Sequence, residues 1–234
     1  MLTFADKAIL FFSSLKFEGS LPEGITIMNP FAENKDVRHA VSEFYKKYYS
    51  DSRTRRLIMG INPGRFGGGL TGIPFTDSIR LKEKCGLIIP GVKSYETSSV
   101  FIYEMIDRYG GPQEFYGDWY ITSVSPLGFT SKSEKGRVIN FNYYDNRNLE
   151  LSIYGFAVDS IRKQLEFGIE RDVCFCLGAG KNFRYLSRIN QEYNFFDHIE
   201  PLEHPRFIMQ YRLKRKDAYI SEYLGKLKKN KKQI

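Results

Sequence analysis

The chain has 234 residues, 42% of them hydrophobic and 15% aromatic, which suits one domain with a sizeable core and excludes a disordered or low-complexity protein. No window reaches the roughly 18 uninterrupted apolar residues of a membrane span, and the N-terminus lacks a signal peptide's charged-then-apolar layout. Three scattered cysteines (Cys85, Cys174, Cys176) fit neither a disulfide framework nor an iron–sulfur cluster, so the expectation is a monomer without cofactor, metal or membrane, intracellular and either cytoplasmic or nucleoid-associated (nuclear in a eukaryote).

Residues 4–16 and 36–49 read as helices; in the second, Val37, Ala40, Val41, Phe44, Tyr45 and Tyr48 recur at helical spacing. Residues 1–50 thus form a helical N-terminal extension of a single domain spanning 1–234. A short apolar run at 56–61, closed by Asn-Pro-Gly, predicts a buried strand ending in a tight loop. A helix at 97–109 precedes a second strand at 119–124, stopped by Pro126. After an irregular, hairpin-like region the pattern predicts a helix at 147–167, a strand at 172–177, a helix at 181–190 and a fourth strand at 196–202. The last helix, about 214–228, places Tyr219, Ile220, Tyr223, Leu224 and Leu227 on one face and runs into a basic tail at 226–234. Strands alternating with helices predict an α/β fold, a three-layer α/β/α sandwich around a mainly parallel four-stranded sheet. Ligands of such sheets bind beyond the carboxyl ends of the strands.

The charge is unevenly placed. Lys and Arg number 35 against 27 Asp and Glu, a net +8, and residues 201–234 hold ten of the basic residues but three acidic ones. A basic terminal region on a balanced domain predicts a polyanionic partner, most simply nucleic acid. The lysines of the tail read more simply as a solvated chain end.

Residues 60–75, GINPGRFGGGLTGIPF, form the densest feature, with six glycines that let backbone approach a ligand closely. No Lys-Ser/Thr pair follows a P-loop frame and no G-x-G-x-x-G turn meets a helix start, which disfavours a nucleotide-handling enzyme. Asn62 stands at the strand end, able to orient a water or substrate through its amide, or simply to form the turn before Pro63. Phe75 offers an aromatic platform for a flat heterocycle. His204, after the fourth strand, is placed to donate a hydrogen bond to a developing anion, whereas His39 and His198 read as surface residues. Gly178-Ala179-Gly180-Lys181 reads as a helix-opening turn, and Cys174 and Cys176 as buried apolar residues on one side of a strand.

These segments together resemble the uracil-DNA glycosylase superfamily, most of all its single-strand-selective monofunctional branch. The first family motif, GMNPGPFG…TGVPF, is similar to 60–75 at near-identical spacing, and the late histidine–proline motif is matched by His204 and Pro205. The resemblance extends from about residue 56 to 227. It implies a metal-independent DNA glycosylase of base-excision repair that flips a base out of DNA. It also implies that Asn62 orients the attacking water, that His204 bonds the base oxygen, and that Phe75, Gly60 and Ile61 hold the base. Pro63, Gly64 and Arg65 would meet DNA on one side. Pro205, Arg206 and Phe207 would do so on the other, with Arg206 and Phe207 as candidate wedge, and Arg212, Lys214 and Arg215 would neutralise phosphates. Where the family reads the base edge with an Asn, in an N-H-C-P-L-like segment, this chain has Ser123 in SVSPL, which implies a relaxed or shifted base preference. No lysine lies within the matched motifs, so a Schiff-base lyase step is not expected. The same features leave open a nucleic-acid-binding protein of this fold with weak or no excision.

Overall fold

The computed structural model describes residues 2–229. The elements run α1 (Phe4–Ser13), β1 (Ile25–Met28), α2 (Pro30–Glu33), α3 (Lys35–Tyr49), β2 (Arg55–Gly60), α4 (Gly68–Thr71), α5 (Ser78–Cys85), α6 (Thr97–Tyr109) and α7 (Pro112–Asp118). They continue β3 (Trp119–Ser123), β4 (Gly128–Lys132), β5 (Val138–Phe141), α8 (Arg147–Ser152), α9 (Tyr154–Leu165), β6 (Ile169–Leu177), α10 (Lys181–Tyr193), β7 (His198–Leu202), α11 (Pro205–Tyr211) and α12 (Lys216–Lys229).

Four parallel strands in the order β3-β2-β6-β7 make the central sheet, as the alternation predicts. All of β2 and β3, and β6 from Val173 onward, are buried, which is why they read as continuous apolar runs rather than alternating ones. From β2 the chain pairs first with β3 on one side and later places β6 on the other. The crevice at the carboxyl ends of β2 and β6 is therefore the topological switch point, where ligands of such sheets bind. The register brings Gly60 opposite Ser123, Met59 opposite Cys176 and Leu177 opposite Leu202, so the loops leaving all four strands emerge side by side.

The base of the sheet is fixed by an ion pair inside an aromatic cluster. Arg55 is 0% exposed, and its guanidinium donates to both Asp51 carboxylate oxygens at 2.5 and 3.0 Å and to the carbonyls of Arg53 and Tyr116. It lies 5.5 and 5.4 Å from the ring centroids of Phe4 and Tyr49. These bonds hold the Asp51 carboxyl well below the usual carboxylate range.

Several elements differ from the sequence reading, each for a local reason. The helix expected at 147–167 is two, α8 and α9, stepped at Ile153; that side chain is fully buried, so helical spacing runs unbroken across the step. The hairpin-like region is β4–β5, which joins β1 in a separate antiparallel sheet of order β1-β4-β5. At four half-exposed residues, β1 is too short to show alternation. The last helix starts at Lys216 and not 214, because residues 213–215 form a single 3-10 turn. The segment after His204, to which the sequence reading assigns the candidate wedge and no helix, is α11. Of the tail 226–234, residues 230–234 lie outside the described region. Among the described residues no helix is long and apolar enough to cross a membrane.

Candidate active site

A cleft of about 810 Å³ opens at the carboxyl ends of the parallel strands, within the usual size of a ligand pocket. Asn62, Phe75, Ser123, Glu96, His204 and Arg206 line it, contributed by five separate segments.

At its floor lie Gly60, Phe75 and Ser123. A Cβ on Gly60 would meet the Phe75 ring at 2.5 Å and Ser123 Oγ at 3.3 Å, so only glycine at the end of β2 lets the ring lie across the strand ends. Phe75 has φ +53, the left-handed region that side chains rarely occupy, at a cost of about 1–3 kcal/mol that the surrounding structure must impose. The buried Thr76 that follows is tied by its hydroxyl to Tyr103 Oη at 3.0 Å and by its carbonyl to the Thr71 hydroxyl at 2.6 Å, which fixes the turn. Ser123, 3% exposed at the end of β3, makes no side-chain hydrogen bond among the described residues and contributes its hydroxyl to the cleft.

Asn62 is fixed at both ends of its amide. Its Nδ2 donates to the Phe141 carbonyl at 3.2 Å, and its Oδ1 accepts from the Tyr143 N–H at 3.2 Å. Tyr143 Oη in turn donates to Asn182 Oδ1 at 2.6 Å, and Asn182 Nδ2 donates to the Leu177 carbonyl at 2.9 Å. Asn62 is thus coupled through one tyrosine to the end of β6. The turn-forming and water-orienting readings of Asn62 are compatible: Oδ1 keeps a second lone pair.

His204 caps α11. Its Nδ1 accepts the Arg206 N–H at 3.1 Å, which assigns the ring proton of the neutral imidazole to Nε2. Burial, with the Arg206 charge beside it, lowers its pKa to about 4. The ring is therefore neutral near pH 7 and a hydrogen-bond donor at Nε2. Its centroid lies 6.1 Å from that of Phe75. The preceding Glu203 carbonyl accepts a short bond from the buried Tyr223 hydroxyl of α12, which anchors this corner.

Of the residues singled out in the sequence, Ile61, Asn62, Pro63, Gly64, Arg65, Phe75, Ser123, His204, Arg206 and Phe207 line the one cleft. Gly60 lies beneath Phe75, and Pro205 is buried as the first residue of α11. Arg206 and Phe207 stand on the first turn of that helix and not on an extended loop. Arg212, Lys214 and Arg215 are exposed beside α11 but do not line the cleft; Arg212 lies 5.2 Å over the Phe207 ring and Arg215 5.6 Å over Tyr219. Sequence reasoning missed Glu96, Asn140 and Tyr144. Asn140 Oδ1 accepts the Arg65 N–H at 2.8 Å, and Lys181 lies 5.5 Å from the Tyr144 ring. The rim also carries the exposed Phe66 and Tyr95, with the Arg65 and Arg80 guanidinium groups over their rings at 3.9 and 4.9 Å.

A cleft at the switch point of a parallel sheet, lined by a neutral histidine, a braced asparagine and an aromatic shelf, is the kind of site in which an α/β enzyme holds its ligand. The chain belongs to the uracil DNA glycosylase superfamily, whose family model matches residues 46–228. Among solved structures it is similar to wild-type SMUG2 of Pedobacter heparinus, with 53% identity, 97% of this chain and 98% of that one covered, and a TM-score of 0.94. A search of curated proteins finds no match.

Proposed function

We propose that the cleft receives a uracil-like base turned out of DNA, with its face on Phe75, its edge toward Ser123 and its departing oxygen toward His204. The chain is a monofunctional DNA glycosylase of base-excision repair, so the reaction is hydrolysis of the N-glycosidic bond. The supporting observation is the convergence of Gly60, Phe75 and Ser123 within contact distance, with His204 facing the same ring.

Turning a base out of the stack costs about a few kcal/mol, and stacking on an aromatic ring returns about 1–3 kcal/mol of it. As the C1′–N bond breaks, its electron pair leaves with the base and positive charge develops on the sugar. His204 then donates from Nε2 to the base oxygen where negative charge collects. The neutral imidazole carries its one proton on Nε2, because Nδ1 accepts the Arg206 N–H, and so stabilises the anion as a hydrogen-bond donor. A water accepted on the free lone pair of Asn62 Oδ1 supplies hydroxide to C1′, and its proton is released to the base or to solvent. Asn62 is an amide and a weak base, so departure of the base leads and water addition follows. Arg65 and Arg206, both lining the cleft, meet the flanking phosphates, and Phe207 fills the gap left in the stack.

The test is single-turnover excision on oligonucleotides carrying uracil, hypoxanthine, xanthine or hydroxymethyluracil, in single and double strands. Release of uracil, with measurable release of at least one of the others, is expected. No release from any of them would leave the alternative of a binding protein.

A further inference from the structure

The cleft contains a carboxylate that the excision chemistry above does not use. Glu96 precedes α6, and its backbone N–H donates to the buried Asp77 at 2.7 Å, which fixes the start of the side chain. That side chain crosses the glycine loop. A Cβ built on Gly67 would overlap Oε2, and one on Gly64 would lie 2.5 Å from Oε1, so these two glycines make room for the carboxyl. Among the described residues the carboxyl neither caps its helix nor forms an ion pair. The charged groups facing it are Asp77, which caps α5, and Arg80 of α5, paired with each other, and Arg206 of α11. Burial and the Asp77 charge raise its pKa to about 7, against the opposing pull of Arg206 and Arg80.

A lone carboxylate in a groove meant for a polyanion weakens binding unless it serves some purpose. We propose that Glu96 sets how tightly the DNA backbone is held: ionised, it draws on Arg206 and repels phosphate from the Gly64–Gly67 loop, and neutral, it frees both for DNA. Undamaged DNA is then held weakly and released, and the enzyme is free to search. The inference rests on the reading of Gly64 and Arg206 as backbone contacts. An arriving phosphate favours the neutral carboxyl, so binding takes up a proton at Glu96. Affinity must then fall as pH rises through the range where the free carboxyl titrates.

The experiment measures the Kd of the full chain for an undamaged single-stranded oligonucleotide by fluorescence anisotropy, from pH 6 to 8.5 at fixed salt, and then across salt at pH 8. Wild type is expected to weaken with rising pH by up to about ten-fold between pH 6 and 8, and never by more than ten-fold per pH unit, the limit for one proton. Glu96→Gln, nearly the same shape, should bind more tightly at pH 8 by a similar factor and lose that pH dependence, with melting recorded alongside. Should Glu96→Gln fail to fold, Glu96→Asp, which keeps the charge but draws it back from the loop, should bind more tightly than wild type at pH 8. Arg206→Ala should lower the salt slope by about 0.7, the value for one single-strand phosphate. An unchanged slope in Arg206→Ala would refute the contact reading itself. A normal Arg206 effect together with a wild-type Kd flat across pH, or a Glu96→Gln variant that matches wild type at every pH, would overturn the Glu96 proposal alone.

Discussion

His204 Nδ1 accepts the backbone N–H of Arg206 at 3.1 Å, so the histidine beside Phe75 also starts the helix carrying the candidate wedge. The bond fixes the tautomer and ties the ring to one orientation. Burial lowers the pKa to about 4 from 6.5. The sign follows: the stabilisation from the neutral ring is complete above about pH 6.5 and is lost as pH falls through about 4. The His204 ring signals should therefore titrate near 4 by NMR, and a midpoint close to 6.5 would contradict this environment. Replacing His204 with Ala should cost about 2.7–4 kcal/mol of barrier in single-turnover excision, the usual loss for one positioned donor.

Asn62 joins the cleft to the small sheet, because the Phe141 carbonyl and the Tyr143 N–H hold both ends of its amide. Asn62→Ala should slow excision to a similar extent as loss of His204. It should also cost about 0.5–1.5 kcal/mol of stability for each bond lost. Asn62→Asp keeps the acceptor for Tyr143 but aims an anion at the Phe141 carbonyl, so it should destabilise the hairpin end as well. Hydrogen exchange at the Tyr143 amide is the local readout: protection should drop in Asn62→Ala. Unchanged protection and rate together would show that the brace has no function.

The Asp51–Arg55 pair makes the stability of β2 sensitive to acid. Arg55 hydrogen-bonds hold the Asp51 carboxyl below its ordinary value of 3.8, so this stabilisation is fully present above that value and disappears as pH falls through the lower, folded one. Asp51→Ala leaves a buried guanidinium without its anion and should cost about 3–5 kcal/mol. Arg55→Met combined with Asp51→Ala should recover much of the loss, since the surrounding cluster is aromatic. Urea midpoints for wild type and the two variants measure this. A single Asp51→Ala variant as stable as wild type would be incompatible with the buried pair.

The chemistry-bearing loop was legible because its residues are fixed by local spacing: Asn62 ends a buried strand and Phe75 closes the glycine run. The parallel sheet was legible for the same reason, from apolar runs buried on both faces. Helix α11 was not, because sequence rules look for Ser, Thr, Asp or Asn at a helix start, and here an imidazole nitrogen caps it before Pro205. Glu96 was invisible for a different reason. In Tyr95-Glu96-Thr97 it looks like any residue before a helix, and it gains meaning only when the loop from β2 passes beneath it. The two-part break at Ile153 leaves no trace, since a buried residue satisfies the helical pattern on both sides.

In the proposed reading, specificity turns on Ser123. The residue sits at the end of β3, opposite Gly60 and 3% exposed, so it faces whatever lies on Phe75. An Asn amide presents a donor and an acceptor side by side and can pair with O4 and N3–H of uracil together; a serine hydroxyl, shorter and centred on one atom, cannot span both. A water must fill the remaining space, or a base with other substituents must occupy it. Either way discrimination falls, because a polar pocket rejects a wrong base chiefly by leaving its own groups unpaired. Uracil excision should therefore be modest, with competing bases such as hypoxanthine accepted to a measurable degree. Ser123→Asn should raise the ratio of single-turnover rates on uracil over hypoxanthine, on the order of ten-fold or more for one recovered hydrogen-bond pair. If the natural enzyme already excises uracil fast and exclusively, and the Asn variant is no more selective, then Ser123 does not read the base.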